Sequence, residues 1–209
     1  MEKENQLSEL ILEKAKEMYI QLGFKGVTLD DIAQEMSISK KTIYQHYANK
    51  NELVEAVGTN LMQIIFNEID KISTSNYNAI QELFEIRKYL RKTLEDKFRL
   101  AAFQLTKFFP EISQKMHLRQ FDRMKASVMD NLAKGIAGGL YRPDINSEFV
   151  SRIYFTGISG TKDANVFPEE LFNMNQLHIL FLEYHLRAIC TQGGIALLEE
   201  YIAESVDYS

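Results

Sequence analysis

The chain has 209 residues, 45% of them hydrophobic and 25% charged, ordinary proportions for a soluble globular protein with room for one large or two small domains. A net charge of -5 and a pI of 5.5 argue against a protein that coats nucleic acid indiscriminately, but leave room for one basic face on an acidic body. Cys190 has no second cysteine to pair with, and the longest charge-free stretch, Leu171 to Leu182, is too short to span a bilayer. With no basic-then-apolar leader at the start, a cytoplasmic protein without membrane association is expected.

In chain order, Leu7, Leu10, Ile11, Ala15, Met18, Tyr19 and Leu22 fall on one face of a first helix, which stops at Gly23, a residue that readily takes the left-handed capping conformation. Thr28 stands three residues before Asp31, so a hydroxyl can cap a free amide and a carboxylate can answer it. A second helix is therefore expected from Thr28, with Leu29, Ile32, Ala33 and Met36 forming its apolar stripe. Ser37-Ile38 breaks the period and Ser39 caps a third helix over Lys40 to about Tyr47. That helix buries Ile43 and Tyr47 and leaves Lys40, Lys41, Thr42, Tyr44 and Gln45 at the outside or rim.

Two short helices joined by a tight turn are the layout of a helix-turn-helix, whose second helix meets base edges with its N-terminal end. No acidic residue occurs between Glu35 and Glu52, so Lys40, Lys41, Lys50 and His46 stand in a field of one sign that would draw a phosphate backbone. A solvated lysine face is the plain alternative. On the lysines alone the two readings carry equal weight; acid depletion and the caps favour the DNA face once the ordered matches that follow are added to them.

Gly23-Phe24, Thr28, Asp31-Ile32-Ala33, Ser39, Thr42-Ile43-Tyr44-Gln45-His46-Tyr47 and Lys50-Asn51-Glu52-Leu53 resemble the N-terminal domain of the TetR family of bacterial repressors. The departure is Met36-Ser37, where that family usually has a glycine in the turn. The resemblance is motif-level over roughly residues 5 to 60 and architectural beyond. It implies a homodimeric, ligand-responsive regulator, most simply a repressor that occupies a palindromic operator in double-stranded DNA. Lys40, Lys41, Thr42 and Gln45 would read bases, while Thr28, Ser39, Tyr44, His46 and Lys50 would hold phosphates.

Beyond the motif, Asn49 and Glu52 form another possible capping box, opening a helix with Leu53, Val57, Leu61, Ile64, Glu68 and Ile72 in period that dissolves in Ser73-Thr74-Ser75-Asn76. Helical period continues from Ile80 through Leu83, Leu90, Leu94, Phe98, Ala101 and Leu105 to Phe108-Phe109-Pro110, where Pro110 suits the first turn of a short segment. A further helix is expected from about Leu118 to Ile136, ending at Gly138-Gly139. Gly138 to Asp144 resembles the turn that precedes the last two long helices in TetR relatives, here about 147 to 164 and 169 to 190. A small amphipathic helix from Ile195 to about Glu204 comes last.

The fold class is thus all-α, with a three-helix DNA-binding domain over 1–50 and a helical effector-binding and dimerisation domain over 51–209. Phe149, Ile153 and Phe155 in one of the last long helices, with Leu177, Phe181 and Tyr184 in the other, are the candidate dimer surface. Phe98, Phe103, Phe108, Phe109, Met116, Phe121, Met124, Met129, Tyr154 and Phe155 are mostly core, but such side chains also line pockets, and TetR relatives hold small, often apolar effectors there. No individual ligand residue is assigned.

Arg87, Lys88, Arg91, Lys92, Lys97 and Arg99 form a second basic cluster, but Glu95 and Asp96 interrupt it and a solvated face accounts for it. His178 and His185 could share a helix face, yet two nitrogens without a thiolate or carboxylate partner are too few for a metal site. No GxGxxG, GxxxxGK[ST] or GxSxG occurs, so neither catalytic residues nor a cofactor are expected. The rival readings are an all-helical protein-interaction module and, more weakly, a helical-bundle enzyme. Salt-dependent duplex binding would separate the first, and metal or turnover assays the second.

Overall fold

The computed structural model describes residues 2–93 and 96–206, with the side chains of 2–5, 96–100, 175 and 204–206 left aside. Lys97, Phe98 and Arg99 lie outside the described side chains. Among the described residues the helices are α1 (Glu2–Leu22), α2 (Leu29–Glu35), α3 (Lys40–Tyr44), α4 (Lys50–Ser73), α5 (Ala79–Thr93), α6 (Asp96–Phe108), α7 (Pro110–Ala137), α8 (Ser147–Gly160), α9 (Met174–Ile189) and α10 (Gln192–Val206). The all-α class holds; the β pairing seen is an isolated bridge between Tyr141 and Cys190. Two compact units divide the chain, residues 1–66 with 93–120, and 67–92 with 121–209.

The core of the first unit gathers Ile11, Ala15 and Tyr19 of α1, Ile32 of α2, Ile43 of α3, Leu53, Val54 and Val57 of α4, and Ala101 and Leu105 of α6. Each large apolar side chain removed from water here contributes about 1.5 to 3 kcal/mol before entropy is counted, which is why helices as short as α2 and α3 hold their places. Leu10 and Leu22, expected on the buried face of α1, are exposed. Packing uses the narrower Ile11-Ala15-Tyr19 stripe, because α1 bears on a few short partners. Gly23, at φ +85°, ends α1 with its backbone against α6: a Cβ there would fall 2.4 Å from the Gln104 side chain, whose Oε1 accepts a hydrogen bond from the Lys25 amide at 3.2 Å.

Several expected boundaries move. The expected short segment after Pro110 and the helix from Leu118 are one helix, α7, with Pro110 as its first residue, a position where a missing amide hydrogen costs nothing. The Asn49 box closes by half: Asn49 Oδ1 accepts from the Glu52 amide, but the Glu52 carboxylate accepts from Ala48. On α4, Ile64 is exposed and the buried stripe passes instead through Phe66 and Ile69. The last long helices are shorter than 147–164 and 169–190: α8 stops at Gly160, and a looped stretch containing Pro168 delays α9 to Met174.

In the second unit, α5, the end of α7, α9 and α10 enclose Ile80, Leu83, Leu132, Tyr141, Leu186 and Leu198. Within this apolar body lies a polar knot. Buried Glu82 accepts hydrogen bonds from Lys134 Nζ at 2.6 Å and Asn131 Nδ2 at 2.9 Å; Tyr141 donates to Asn131 Oδ1 at 3.1 Å, and Lys134 also reaches the Ser73 carbonyl closing α4. Phe155 and Leu177, expected at the dimer surface, are buried in this unit's interior. Both α8 and α9 present other apolar side chains outward.

Candidate nucleic-acid interface

Thr28 caps α2 through the expected reciprocal box: its Oγ1 accepts from the Asp31 amide while the Asp31 carboxylate accepts from the Thr28 amide at 2.8 Å and hydroxyl at 2.7 Å. Those hydrogen bonds hold the Asp31 carboxyl below its usual range. A phosphate reaching Thr28 must therefore exchange with a carboxylate already there. The helix ends in a Schellman arrangement, with the Ile38 amide bonded to the Ala33 carbonyl and the Ser37 amide to Gln34. This forces Ser37 to φ +54°, the left-handed region that disfavours residues with a Cβ. Serine at this position thus holds the left-handed turn at a cost in strain. Ser37→Gly is expected to raise unfolding stability by up to about 1 kcal/mol and Ser37→Val to lower it by a similar amount or more, as read from urea midpoints.

Ser39 starts α3, its Oγ accepting from the Thr42 amide and sharing a 2.7 Å hydrogen bond with the Thr42 hydroxyl. Ile43 and Tyr47 turn inward, the Tyr47 hydroxyl meeting Ser8 at 3.2 Å. The α-helical segment ends at Tyr44, earlier than the expected Tyr47. Gln45 and His46 continue as a turn, with the His46 amide bonded to the Ile43 carbonyl, a tightening common at helix ends. Lys41, Tyr44 and Gln45 face solvent, while Thr42 and His46 are half-buried.

Two of the sequence-derived cations are engaged within the protein. Lys40 pairs with Asp30 at 2.7 Å, a contact invisible to a scan for local acids because the partner comes from α2. Lys50 donates to the Lys25 carbonyl at 3.0 Å, and its ammonium lies 5.7 Å from the Phe109 ring centre. Burial pushes its pKa down and Asp31 partly offsets this. Lys41 has no carboxylate within ion-pair distance among the described residues. The interface is therefore an exposed helix carrying one free lysine, a tyrosine, a glutamine and two hydroxyls, flanked by lysines whose internal bonds a phosphate would have to replace. Neither Asp30 nor Lys25 carries a local sequence signal for its part in this arrangement.

Elsewhere, His185 is buried against Tyr154 at 4.6 Å between ring centres, and burial pushes its pKa down to about 4. Among the described residues no group of three His, Cys, Asp or Glu side chains is placed to hold a metal ion, and no helix is long and apolar enough to cross a membrane.

Residues 11–57 match the sequence family of bacterial regulatory proteins, tetR family. Over these residues the chain carries the helix-turn-helix of the TetR family of bacterial regulators. The matched segment runs from within α1 through α2 and α3 to the start of α4, and so contains the elements that build the interface. Among its relatives, the uncharacterized HTH-type transcriptional regulator YhgD of Bacillus subtilis is 28% identical over 134 residues, 61% of this chain and 70% of YhgD. The HTH-type transcriptional repressor KstR2 of Mycolicibacterium smegmatis is 24% identical over 149 residues, 68% of this chain and 71% of KstR2. These relatives are transcriptional regulators, not enzymes. In structure, the chain is similar to SmeT, the repressor of the Stenotrophomonas maltophilia multidrug efflux pump SmeDEF, with a TM-score of 0.70 at 19% identity over 90% of this chain and 92% of SmeT. SmeT is also known in a complex with triclosan.

Proposed function

We propose that this regulator is a cytoplasmic homodimeric repressor that binds a palindromic operator and releases it when a small, largely apolar effector binds. The observation that carries the DNA reading is the exposed face of α3, with Lys41, Tyr44 and Gln45 turned to solvent on a helix anchored by Ile43. Lys40, Lys41, Thr42 and Gln45 are assigned to base edges, and Thr28, Ser39, Tyr44, His46 and Lys50 to phosphates. Lys40 takes part by leaving Asp30, and Lys50 by leaving the Lys25 carbonyl. Residues 1–50 are the DNA-binding domain and 51–209 the effector-binding and dimerisation domain.

Selection of bound sequences from random duplex DNA tests this directly. A palindrome should emerge, with half-sites about 34 to 36 Å apart or a multiple of that, and affinity should fall steeply with salt. Lys41→Ala or Gln45→Ala should relax base preference by about 1 to 3 kcal/mol at the contacted position, whereas Lys50→Ala should weaken all sequences alike. Absence of any preference among random duplexes at moderate salt would remove α3 from its role.

A single helix-turn-helix reads too few bases to find one operator, and the apolar side chains exposed on α8 and α9 support a dimer. Phe149 and Tyr184 are 61% and 73% exposed, with Ile153 and Leu180 also outward, a surface suited to a four-helix contact. Sedimentation as a monomer at micromolar concentration would count against it. KstR2 is a repressor and SmeT binds triclosan, which supports repression and effector binding here. The lever is α4, whose residues belong to both compact units. A ligand acts only through unequal affinity for the two states, so an effector found by thermal shift should bind less tightly when operator DNA is present.

A further inference from the structure

The described lysine side chains of the first unit divide sharply. Lys14, Lys16, Lys40 and Lys115 each have a carboxylate within ion-pair distance. Lys25, Lys41, Lys50 and Lys107 have none among the described residues. Two of these four, Lys41 and Lys50, belong to the DNA face already assigned; Lys25 lies in the loop before α2 and Lys107 near the end of α6. In a protein of net charge -5, a cluster of cations left without acids needs a reason.

Aromatic rings hold this second pair in place. Lys25 Nζ lies 4.4 Å from the centre of the Phe108 ring, and Lys107 Nζ lies 5.6 Å from the same ring and 5.5 Å from Phe103. Phe103 and Phe108 are themselves exposed. A ring face orders a lysine stem and attracts its charge without neutralising it, so both ammonium charges stay available to an anion. Glu111, four residues beyond Lys107, forms no ion pair with either among the described residues. The ridge is continuous with the assigned DNA face: Lys50 bonds to the carbonyl of Lys25 itself, and Thr28 lies three residues beyond Lys25.

We propose that Lys25 and Lys107, presented on Phe108 and Phe103, contact the phosphates of duplex DNA and extend the protein's footprint from the helix-turn-helix onto α6. The inference rests on the DNA-binding reading above. These contacts carry no sequence information; they add affinity and salt dependence. With two such lysines in each protomer of a dimer, up to four phosphates are added, steepening the plot of log affinity against log salt by about 2 to 4.

The test uses the full chain and a 40-base-pair duplex carrying the selected palindrome at its centre, with a scrambled-centre duplex for comparison, titrated by fluorescence anisotropy at several salt concentrations. Lys25→Gln with Lys107→Gln should weaken binding to both duplexes about tenfold at moderate salt, flatten the salt dependence by about 2 to 4, and leave the ratio between the duplexes unchanged. Lys25→Arg with Lys107→Arg should retain wild-type binding. Unchanged affinity and salt dependence in the glutamine variant would overturn the proposal. So would equal loss in the arginine variant, since that would mark the lysines as packing groups. If the wild-type chain itself fails to distinguish the two duplexes, the operator reading fails instead.

Discussion

Lys134→Met is expected to destabilise the protein by about 3 kcal/mol, at the lower end of the cost of removing one partner of a buried ion pair. Glu82 is the reason. Its side chain is 3% exposed, so without the lysine it keeps only the Asn131 amide and is left as a buried carboxylate without a compensating charge. Lys134, a third exposed, can recover water, so the reverse change, Glu82→Leu, should cost less. The double variant Glu82→Leu with Lys134→Met should regain most of the loss, because Asn131 still donates to the Ala79 carbonyl and the charges disappear together. Urea unfolding of the single and double variants measures the coupling directly. Single-variant costs that simply add would show that Glu82 does not depend on Lys134.

Stability should also fall by about 2 kcal/mol between pH 7 and pH 5 through His185 alone. Burial against Tyr154 and Phe181 brings its pKa down to about 4, against about 6.5 in an unfolded chain. Well above pH 6.5 the imidazole is neutral in both states and costs nothing. As pH falls from 6.5 toward 4 the unfolded chain binds a proton that the folded chain does not, so stability declines; below pH 4 the loss is complete at about 3 kcal/mol. His178, also pushed down by burial with Lys162 and Arg87 adding to it, contributes with the same sign. The check is the difference in urea midpoint between pH 7 and pH 5 for the wild type and for His185→Phe, which keeps an aromatic ring but cannot titrate. An equal difference in the two proteins would mean that other groups set the acid sensitivity.

The helix-turn-helix was legible because its signals are local. Thr28 with Asp31 and Ser39 with Thr42 lie within one turn of each other, so a cap written in sequence is the cap found in space. The inward turn of Ile43 and Tyr47 comes from helical period in the same way. The all-α class was equally plain, since sustained 3.6-residue periodicity leaves little alternative.

Tertiary structure alone decided what depends on distant partners. Periodicity says that one face of a helix is apolar but not how wide a strip its neighbours can cover, so Leu10 and Leu22 stay exposed while Ile11 and Tyr19 are buried. The same limit put Phe155 and Leu177 in the core and left Phe149 and Tyr184 outside, although all four share helical patterns. Charge reads differently in space as well. Lys40 looked free in a stretch of sixteen residues without an acid, yet Asp30 answers it from the preceding helix. Lys25 and Lys107, with α2 to α5 and most of α6 between them in the chain, meet on one phenylalanine ring. Coulombic and packing forces act through a few ångströms of space, and only the folded chain determines which residues those few ångströms join.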